Sequence, residues 1–175
     1  MLKKNSNTIK ELFSYVLIIG LVVLIRIFIF DPVRVDGPSM DTTLLNGQIL
    51  ILNKFEYRKN DIKRYDIIVT KLPNGEKIIK RVIGLPNEVI EIKDNKVYAD
   101  GVELDNSFTS SESEDFDMSV IGLEKIPGDS YLVMGDNREI SYDSRSPQVG
   151  TIKKDKIIGK AIIRIWPLNK IGRIK

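Results

Sequence analysis

The apolar residues of this chain fall into two regimes. Residues 1–11 are polar and carry Lys3, Lys4 and Lys10; residues 12–30, LFSYVLIIGLVVLIRIFIF, are an almost unbroken apolar run. Nineteen residues of helix span about 28 Å, close to the ~30 Å hydrocarbon thickness of a bilayer. Arg26 is the only charge in the run, and it lies near the far end, where a long side chain reaches the headgroups. The run lacks the polar face of a helix packed on a soluble core. DPVRVDGPSM, which follows it, holds no small-x-small cleavage site, so the pattern predicts an uncleaved anchor over 12–30 rather than a removed leader. Three lysines precede the run and only Arg34 follows closely. That asymmetry places the N-terminal segment, 1–11, in the cytoplasm and residues 31–175 outside.

Beyond Met40 the period changes to two. QILILN (48–53), YDIIVT (65–70), KIIKRVI (77–83), EVIEIKD (88–94), YLVMGD (131–136) and KIIGKAIIRIW (156–166) have the alternation and β-branched content of strands. Asp94-Asn95 and Asp100-Gly101 are turn pairs, so 88–104 predicts a meander of short strands. Residues 105–119, DNSFTSSESEDFDMS, are acidic, Ser-rich and poor in apolar side chains, which predicts an exposed loop. No helix of ordinary length is expected after residue 30. The prediction is a mainly β, antiparallel domain behind a single transmembrane helix, with a small β insertion at about 87–130.

Composition narrows the chemistry. The net charge is +3, from 27 basic and 24 acidic residues, with no dense basic patch interleaved with aromatics, so nucleic acid is not an expected partner. The chain has no Cys and no His. Disulfides and thiolate metal sites are thereby excluded and the commonest transition-metal ligand is missing; a carboxylate-bound Mg or Ca site stays open, although no EF-hand-like spacing occurs, and no metal or cofactor is expected.

The missing His also bears on Val35-Asp36-Gly37-Pro38-Ser39-Met40. Pro38 fixes its own φ and Gly37 has backbone freedom, so Ser39 is presented from a constrained turn just beyond the apolar run. Either it is an ordinary turn serine, or it is a nucleophile whose base is a Lys or a carboxylate. Lys80 stands apart from the other lysines because Ile78-Ile79 precede it and Arg81-Val82-Ile83-Gly84-Leu85-Pro86 follow. A surface strand lysine is one reading. The other is a buried amine whose pKa falls from ~10.4 toward neutrality by desolvation, with Arg81 pushing the same way if it is close. A third stretch, 135–145, packs Asp136, Asn137, Arg138, Ser141, Asp143, Ser144 and Arg145 just after a predicted strand. Taken alone it also fits a loop knitted by Asp–Arg pairs.

Ser39-Met40, Lys80-Arg81-Val82-Ile83-Gly84-Leu85-Pro86 and Gly135-Asp136-Asn137-Arg138…Ser141…Asp143-Ser144-Arg145 occur in order behind one apolar run. Together with the absent His they resemble the type I (leader) signal peptidases, in the short form of Gram-positive bacteria, from the anchor to Arg164-Ile165-Trp166-Pro167. The resemblance implies a membrane-bound serine endopeptidase that cleaves signal peptides from exported preproteins after small residues of Ala-x-Ala type. Ser39 would be the nucleophile and Lys80 the general base. Ser141 would hydrogen-bond and orient the Lys80 amine, Asp143 and Arg145 would support the site through a salt bridge, and Asp136 would stand behind them. The Ser39 N–H would be one oxyanion donor. Some relatives place a Ser hydroxyl two residues before the nucleophile as a second donor, and here that position is Gly37. Val35, Met40, Leu44 and Ile79 match positions that line the small apolar substrate pockets. The implied partners are secretory preproteins, the lipid bilayer and the protein export machinery, and the implied location is the cell membrane with the catalytic domain outside.

The chain departs from the family pattern at Thr42, where Pro is usual, at Asn87-Glu88 in place of Gly-Asp, and at Glu139-Ile140 in place of Asp-Asn. Those departures motivate the alternative of a catalytically silent homologue that binds precursors or an export complex. A self-cleaving Ser-Lys repressor is a further alternative, set aside because an apolar anchor occupies the place of its DNA-binding helices.

Overall fold

A computed structural model of the chain describes residues 3–72 and 74–174, without the side chains of residues 3–7, 25, 27 and 28. Residues 1 and 2 of the expected cytoplasmic segment lie outside the described residues. Helix α1 (Lys3–Phe28) takes in the polar start and most of the apolar run. It stops short of Phe30 because Asp31-Pro32 follows, and a residue before proline is driven out of the α region. Ile29 forms a turn, and Phe30 already belongs to strand β1 (Phe30–Arg34). The described apolar side chains of α1, from Ile9 to Leu24, face outward. Among the described residues no helix is long and apolar enough to cross a membrane.

The rest of the chain is mainly β. After β1 come β2 (Ile49–Asn53), the one-turn helix α2 (Glu56–Lys59), β3 (Ile67–Lys71) and β4 (Lys77–Gly84). A three-stranded meander follows: β5 (Ile90–Lys93), β6 (Lys96–Ala99) and β7 (Val102–Glu103). Then come β8 (Ser130–Met134), β9 (Ile152–Lys153), β10 (Ile157–Trp166) and β11 (Gly172–Arg173). The large sheet runs β1-β2-β10-β3-β4-β8-β9, with β11 paired to β10, and its paired strands are antiparallel. Pro32 fits because β1 is an edge strand, where a missing N–H breaks no ladder.

The meander occurs where the turn pairs predict it. Asp94 and Asn95 (φ 50° and 63°), then Asp100 and Gly101 (φ 50° and 80°), take the positive φ angles that close two-residue hairpins. It lies between β4 and β8 and shares a core with them, since Ile90, Ile92, Val97 and Phe116 pack against Ile83, Leu132 and Met134. Gly84 sits at the joint, where a Cβ would collide with Ile126, Ile90 and Leu132. One expectation fails here. Residues 105–119 are not simply exposed: Phe116 forms a bridge with Ile92, and Ser113, Phe116 and Met118 are buried. Two apolar anchors among polar residues suffice to lay the loop down across the sheet.

Candidate active site

Gly37 takes a φ of 86°, and its N–H donates to Asn46 Oδ1 at 3.2 Å. The turn after Pro38 is closed by Asp41 N–H to the Pro38 carbonyl (3.1 Å) and Leu44 N–H to the Met40 carbonyl (2.8 Å). Met40 drives into an apolar cluster with Val35, Leu44, Leu50, Ile67 and Ala161, with Ile79 against its rim. That plug fixes the turn and leaves the neighbouring Ser39 hydroxyl facing β4. The four expected pocket residues thus meet in one apolar wall beside Ser39. Val35, Met40 and Leu44 are buried within it, and Ile79 is only partly covered.

Lys80 lies mid-strand in β4, between β3 and β8, and only 3% of it is exposed. Its Nζ stands 2.6 Å from Ser39 Oγ. Burial pushes its pKa from 10.5 down to about 8, the Asp143 carboxylate pulls the other way, and Arg145 adds to the depression. Arg81 is not the cation that matters, contrary to the expectation from sequence. Consecutive strand residues point to opposite faces, and Arg81 is turned onto Asp136, with Nε–Oδ1 at 2.9 Å and Nη2–Oδ2 at 2.7 Å. Both members of that pair are buried.

Asp143 and Arg145 form the ion pair that the resemblance implies, Nε–Oδ1 at 2.9 Å and Nη2–Oδ2 at 3.0 Å. Asp143 Oδ2 also accepts the Gly135 N–H at 3.0 Å. Ser141 is placed differently from its expected role. Its hydroxyl accepts from the same Gly135 N–H at 3.1 Å and makes no hydrogen bond to Lys80. Gly135 is where the parts converge: a Cβ there would collide with Ser141 Oγ and with the Ser39 carbonyl oxygen. The Asn137 N–H holds that carbonyl at 3.1 Å. The Ser39 N–H has no protein partner among the described residues, so it is available to an oxyanion.

Four further residues support the site: Arg138, which lies in the third motif but was given no role, and Thr43, Phe108 and Ser110, which lie outside the motifs. Thr43 Oγ1 donates to Asp136 Oδ2 at 2.5 Å and accepts from Arg81 Nη2 at 3.2 Å. Arg81 stacks on the Phe108 ring at 4.3 Å, and Arg138 approaches the same ring at 5.9 Å. Arg138 is buried, and burial lowers its pKa to about 10, with Arg145 as the second cause. It donates to the Gly135 carbonyl at 2.9 Å and to Asn106 Oδ1 at 2.8 Å. Ser110 Oγ donates to the Asp41 carbonyl at 2.6 Å. The Ser-rich loop is therefore a strap tied to both the Ser39 turn and the 135–145 segment. Phe108 and Phe116, two aromatics in an otherwise polar loop, were the available signal. A polar groove of about 1080 Å³ runs beside the site, lined by Ser141, Arg145 and Glu112 among others but by neither Ser39 nor Lys80. Among the described residues no carboxylate cluster is arranged to hold a metal ion.

This pairing of a buried lysine with a turn serine can be set beside known proteins. Residues 8–166 match the family described as signal peptidase, peptidase S26. Signal peptidase I P of Bacillus subtilis subsp. natto is 36% identical, over 99% of this chain and 97% of its own length. Signal peptidase I T of Bacillus subtilis (strain 168) is 37% identical, over 99% of this chain and 93% of its own. The crystal structure of a signal peptidase I from Enterococcus faecalis V583 superposes with a TM-score of 0.52 at 31% identity, covering 58% of this chain and 97% of that one. With its serine and lysine motifs inside the matched span, this chain belongs to the signal peptidase family, peptidase S26.

Proposed function

We propose that the chain is a membrane-bound serine endopeptidase that cleaves N-terminal signal peptides from exported preproteins after small residues, with Ser39 as nucleophile and Lys80 as general base. The observation that carries this reading is the 2.6 Å contact between Lys80 Nζ and Ser39 Oγ inside a site that excludes water from the amine. Neutral Lys80 accepts the Ser39 proton as Oγ attacks the scissile carbonyl carbon. The resulting oxyanion takes the Ser39 N–H. The Lys80 ammonium then gives its proton to the departing amine, which leaves as the mature N-terminus, and a water activated by the same amine hydrolyses the acyl-enzyme. The Asp143–Arg145 pair and Ser141 hold Gly135, and through it the Ser39 carbonyl, in register with β4. Val35, Met40, Leu44 and Ile79 form the apolar wall that suits an Ala-sized side chain.

The anchor belongs to the same proposal. The described apolar side chains of α1 from Ile9 to Leu24 are exposed, and a bilayer would cover them. Sheet register links its exit to the site: Phe30 pairs with Asn53, Asn53 with Lys160, Lys160 with Ile68, and Ile68 with Lys80. Four strand steps at ~4.8 Å put Lys80 about 19 Å across the sheet from the first strand residue after the anchor. A precursor delivered by the export machinery at the outer surface would thus meet Ser39 at high effective concentration.

The test is cleavage of a secretory precursor with an Ala-x-Ala site in detergent micelles by wild type, Ser39→Ala and Lys80→Ala. Cleavage after the second Ala by wild type alone is expected. Survival of cleavage in Lys80→Ala would assign the base elsewhere, and a folded wild type inert on several precursors would favour the silent binding homologue.

A further inference from the structure

The net charge of +3 conceals a separation. Residues 54–59 and 153–156 together carry six basic residues against two acidic, whereas residues 103–117 carry six acidic residues and no basic one. The fold sends these segments to opposite ends of the sheet. Residues 54–59 follow β2 at Asn53, which pairs with Phe30, the first strand residue after α1, before the chain crosses to the far end, where Arg64 is held by the Ile83 carbonyl and Glu88. Residues 153–156 lead into β10 at that same end, where Ile157 pairs with Thr70 and Thr70 with Ile78, before Lys80 in β4. The acidic segment belongs to the insertion that leaves β4 at its other end, after Gly84.

Lys54, Arg58 and Lys154 line one cleft of about 450 Å³ at the basic end, together with Asp155; Lys54 is paired with Asp31 at 3.1 Å and Lys154 more loosely with Asp61 at 3.7 Å, which leaves the cations of the face in excess. The Lys54 N–H donates to the Ile29 carbonyl at 2.8 Å, so the cleft adjoins the residue at which the chain leaves α1. Arg58 and Lys59 flank the half-exposed Phe55 ring at 5.6 and 5.3 Å, which puts an aromatic and two cations together beside that exit. Aromatic rings and cations in this arrangement suit a headgroup layer.

From this juxtaposition we propose that the cleft of Lys54, Arg58 and Lys154, with Lys59 beside it, is a docking face for anionic phospholipid headgroups, which orients the catalytic sheet with its acidic insertion away from the bilayer. The occupant is fixed by charge complementarity and by continuity with the anchor. Cations near an anionic surface each gain attraction that falls off within a Debye length, and the acidic pole is repelled over the same range. The proposal rests on α1 being embedded, and the test separates the two.

The full chain is reconstituted in nanodiscs of zwitterionic lipid, or of the same lipid with a third phosphatidylglycerol. The absence of native Cys permits a single dye at Asp61→Cys, at Asp115→Cys or at Asn169→Cys, and energy transfer to headgroup-labelled lipid is measured. Transfer from position 61 should be at least twofold higher in anionic discs, fall at high salt, and fall in Arg58→Gln/Lys154→Gln; position 115 should show no rise. Soluble glycerol phosphate should leave the signal unchanged, and its loss would assign the cleft to a free phosphate ligand instead. Embedded chain with equal transfer in both lipids, or with position 169 approaching in place of 61, would overturn the docking face and leave the anchor reading intact. A chain that fails to co-purify with either disc would overturn both. Cleavage of a soluble peptide should be the same in the double variant as in wild type, which keeps the lipid effect apart from the chemistry.

Discussion

The sharpest consequence of the geometry is the pH dependence attached to Lys80. Its folded pKa of about 8 lies below the ordinary 10.5 because the ammonium is buried without a carboxylate in contact. In the folded enzyme about half the amine is neutral at pH 8, a tenth at pH 7 and a hundredth at pH 6. Precursor cleavage, measured as kcat/KM in detergent, should rise tenfold per pH unit up to about 7.5 and level above 8.5. The same depression has a stability signature of fixed sign. Between pH 8 and 10.5 the unfolded chain holds a proton on this lysine that the folded chain has lost, so stability rises with pH across that window. Below pH 8 the buried ammonium costs roughly 3 kcal/mol. Lys80→Met should therefore be inactive yet more stable than wild type at pH 7 by about 2 kcal/mol, after allowing ~1 kcal/mol for the lost hydrogen bond to Ser39. That advantage should vanish above pH 10.5. Denaturant unfolding followed through the single tryptophan, Trp166, at pH 7 and 10.5 measures it. A rate profile flat from pH 6 to 9, or a Lys80→Met variant less stable than wild type at pH 7, would refute the assignment of Lys80 as a desolvated base.

Other expectations follow from the contacts around it. Gly135→Ala should lose at least ~100-fold in kcat, because the added Cβ meets the Ser39 carbonyl and Ser141, and displacements of this size at a nucleophile cost that much; stability should fall by about 1–3 kcal/mol. Thr43→Val should destabilise by about 1–3 kcal/mol by removing a donor to buried Asp136, with Thr43→Ser restoring both stability and cleavage. Phe108→Ala should loosen the strap and increase protease nicking within 105–119, read by mass spectrometry, while cleavage of precursor falls less than in Gly135→Ala.

Much of the sheet could be read from the sequence because half-buried antiparallel strands advertise themselves by alternation. β2, β5 and β6 carry it plainly, and the Asp94-Asn95 and Asp100-Gly101 turns are set by residues that tolerate positive φ. β1, β9 and β11 were invisible for physical reasons. β1 begins inside the apolar run, and the two-residue β9 and β11 exist only through their partners. The site was legible as three motifs, but their contact was not, since Ser39 and Lys80 are brought together by β3–β4 pairing and by the Met40 plug. The strap escaped notice because its hold combines isolated apolar side chains, Phe108, Phe116 and Met118, with single polar contacts, Ser110 Oγ to the Asp41 carbonyl and Arg138 to Asn106 Oδ1, which leave no period in the sequence.

Lys80 and Arg81 show how one strand can hold two cations in opposite states. They are adjacent, both buried, and project to opposite faces of β4. Arg81 meets a carboxylate in two-pronged contact at 2.7–2.9 Å and a π face at 4.3 Å, so its charge is compensated and it serves as a strut. Among the described residues Lys80 hydrogen-bonds a hydroxyl alone, and the carboxylate that most favours its ammonium, Asp143, is already engaged by Arg145. Burial without compensation shifts an amine toward neutrality, and a guanidinium could not supply that state even in the same cavity, because it does not release its proton near neutral pH. The identity of the residue at position 80 and the allocation of Asp136 and Asp143 to the two arginines thus belong to one electrostatic arrangement. Freeing Asp143 from Arg145 would both remove a cation that disfavours the Lys80 ammonium and release a carboxylate that favours it. Arg145→Gln should accordingly move the midpoint of the cleavage profile above 8, and a midpoint that stays at 8 or falls would show that the Asp143–Arg145 pair acts on loop position alone.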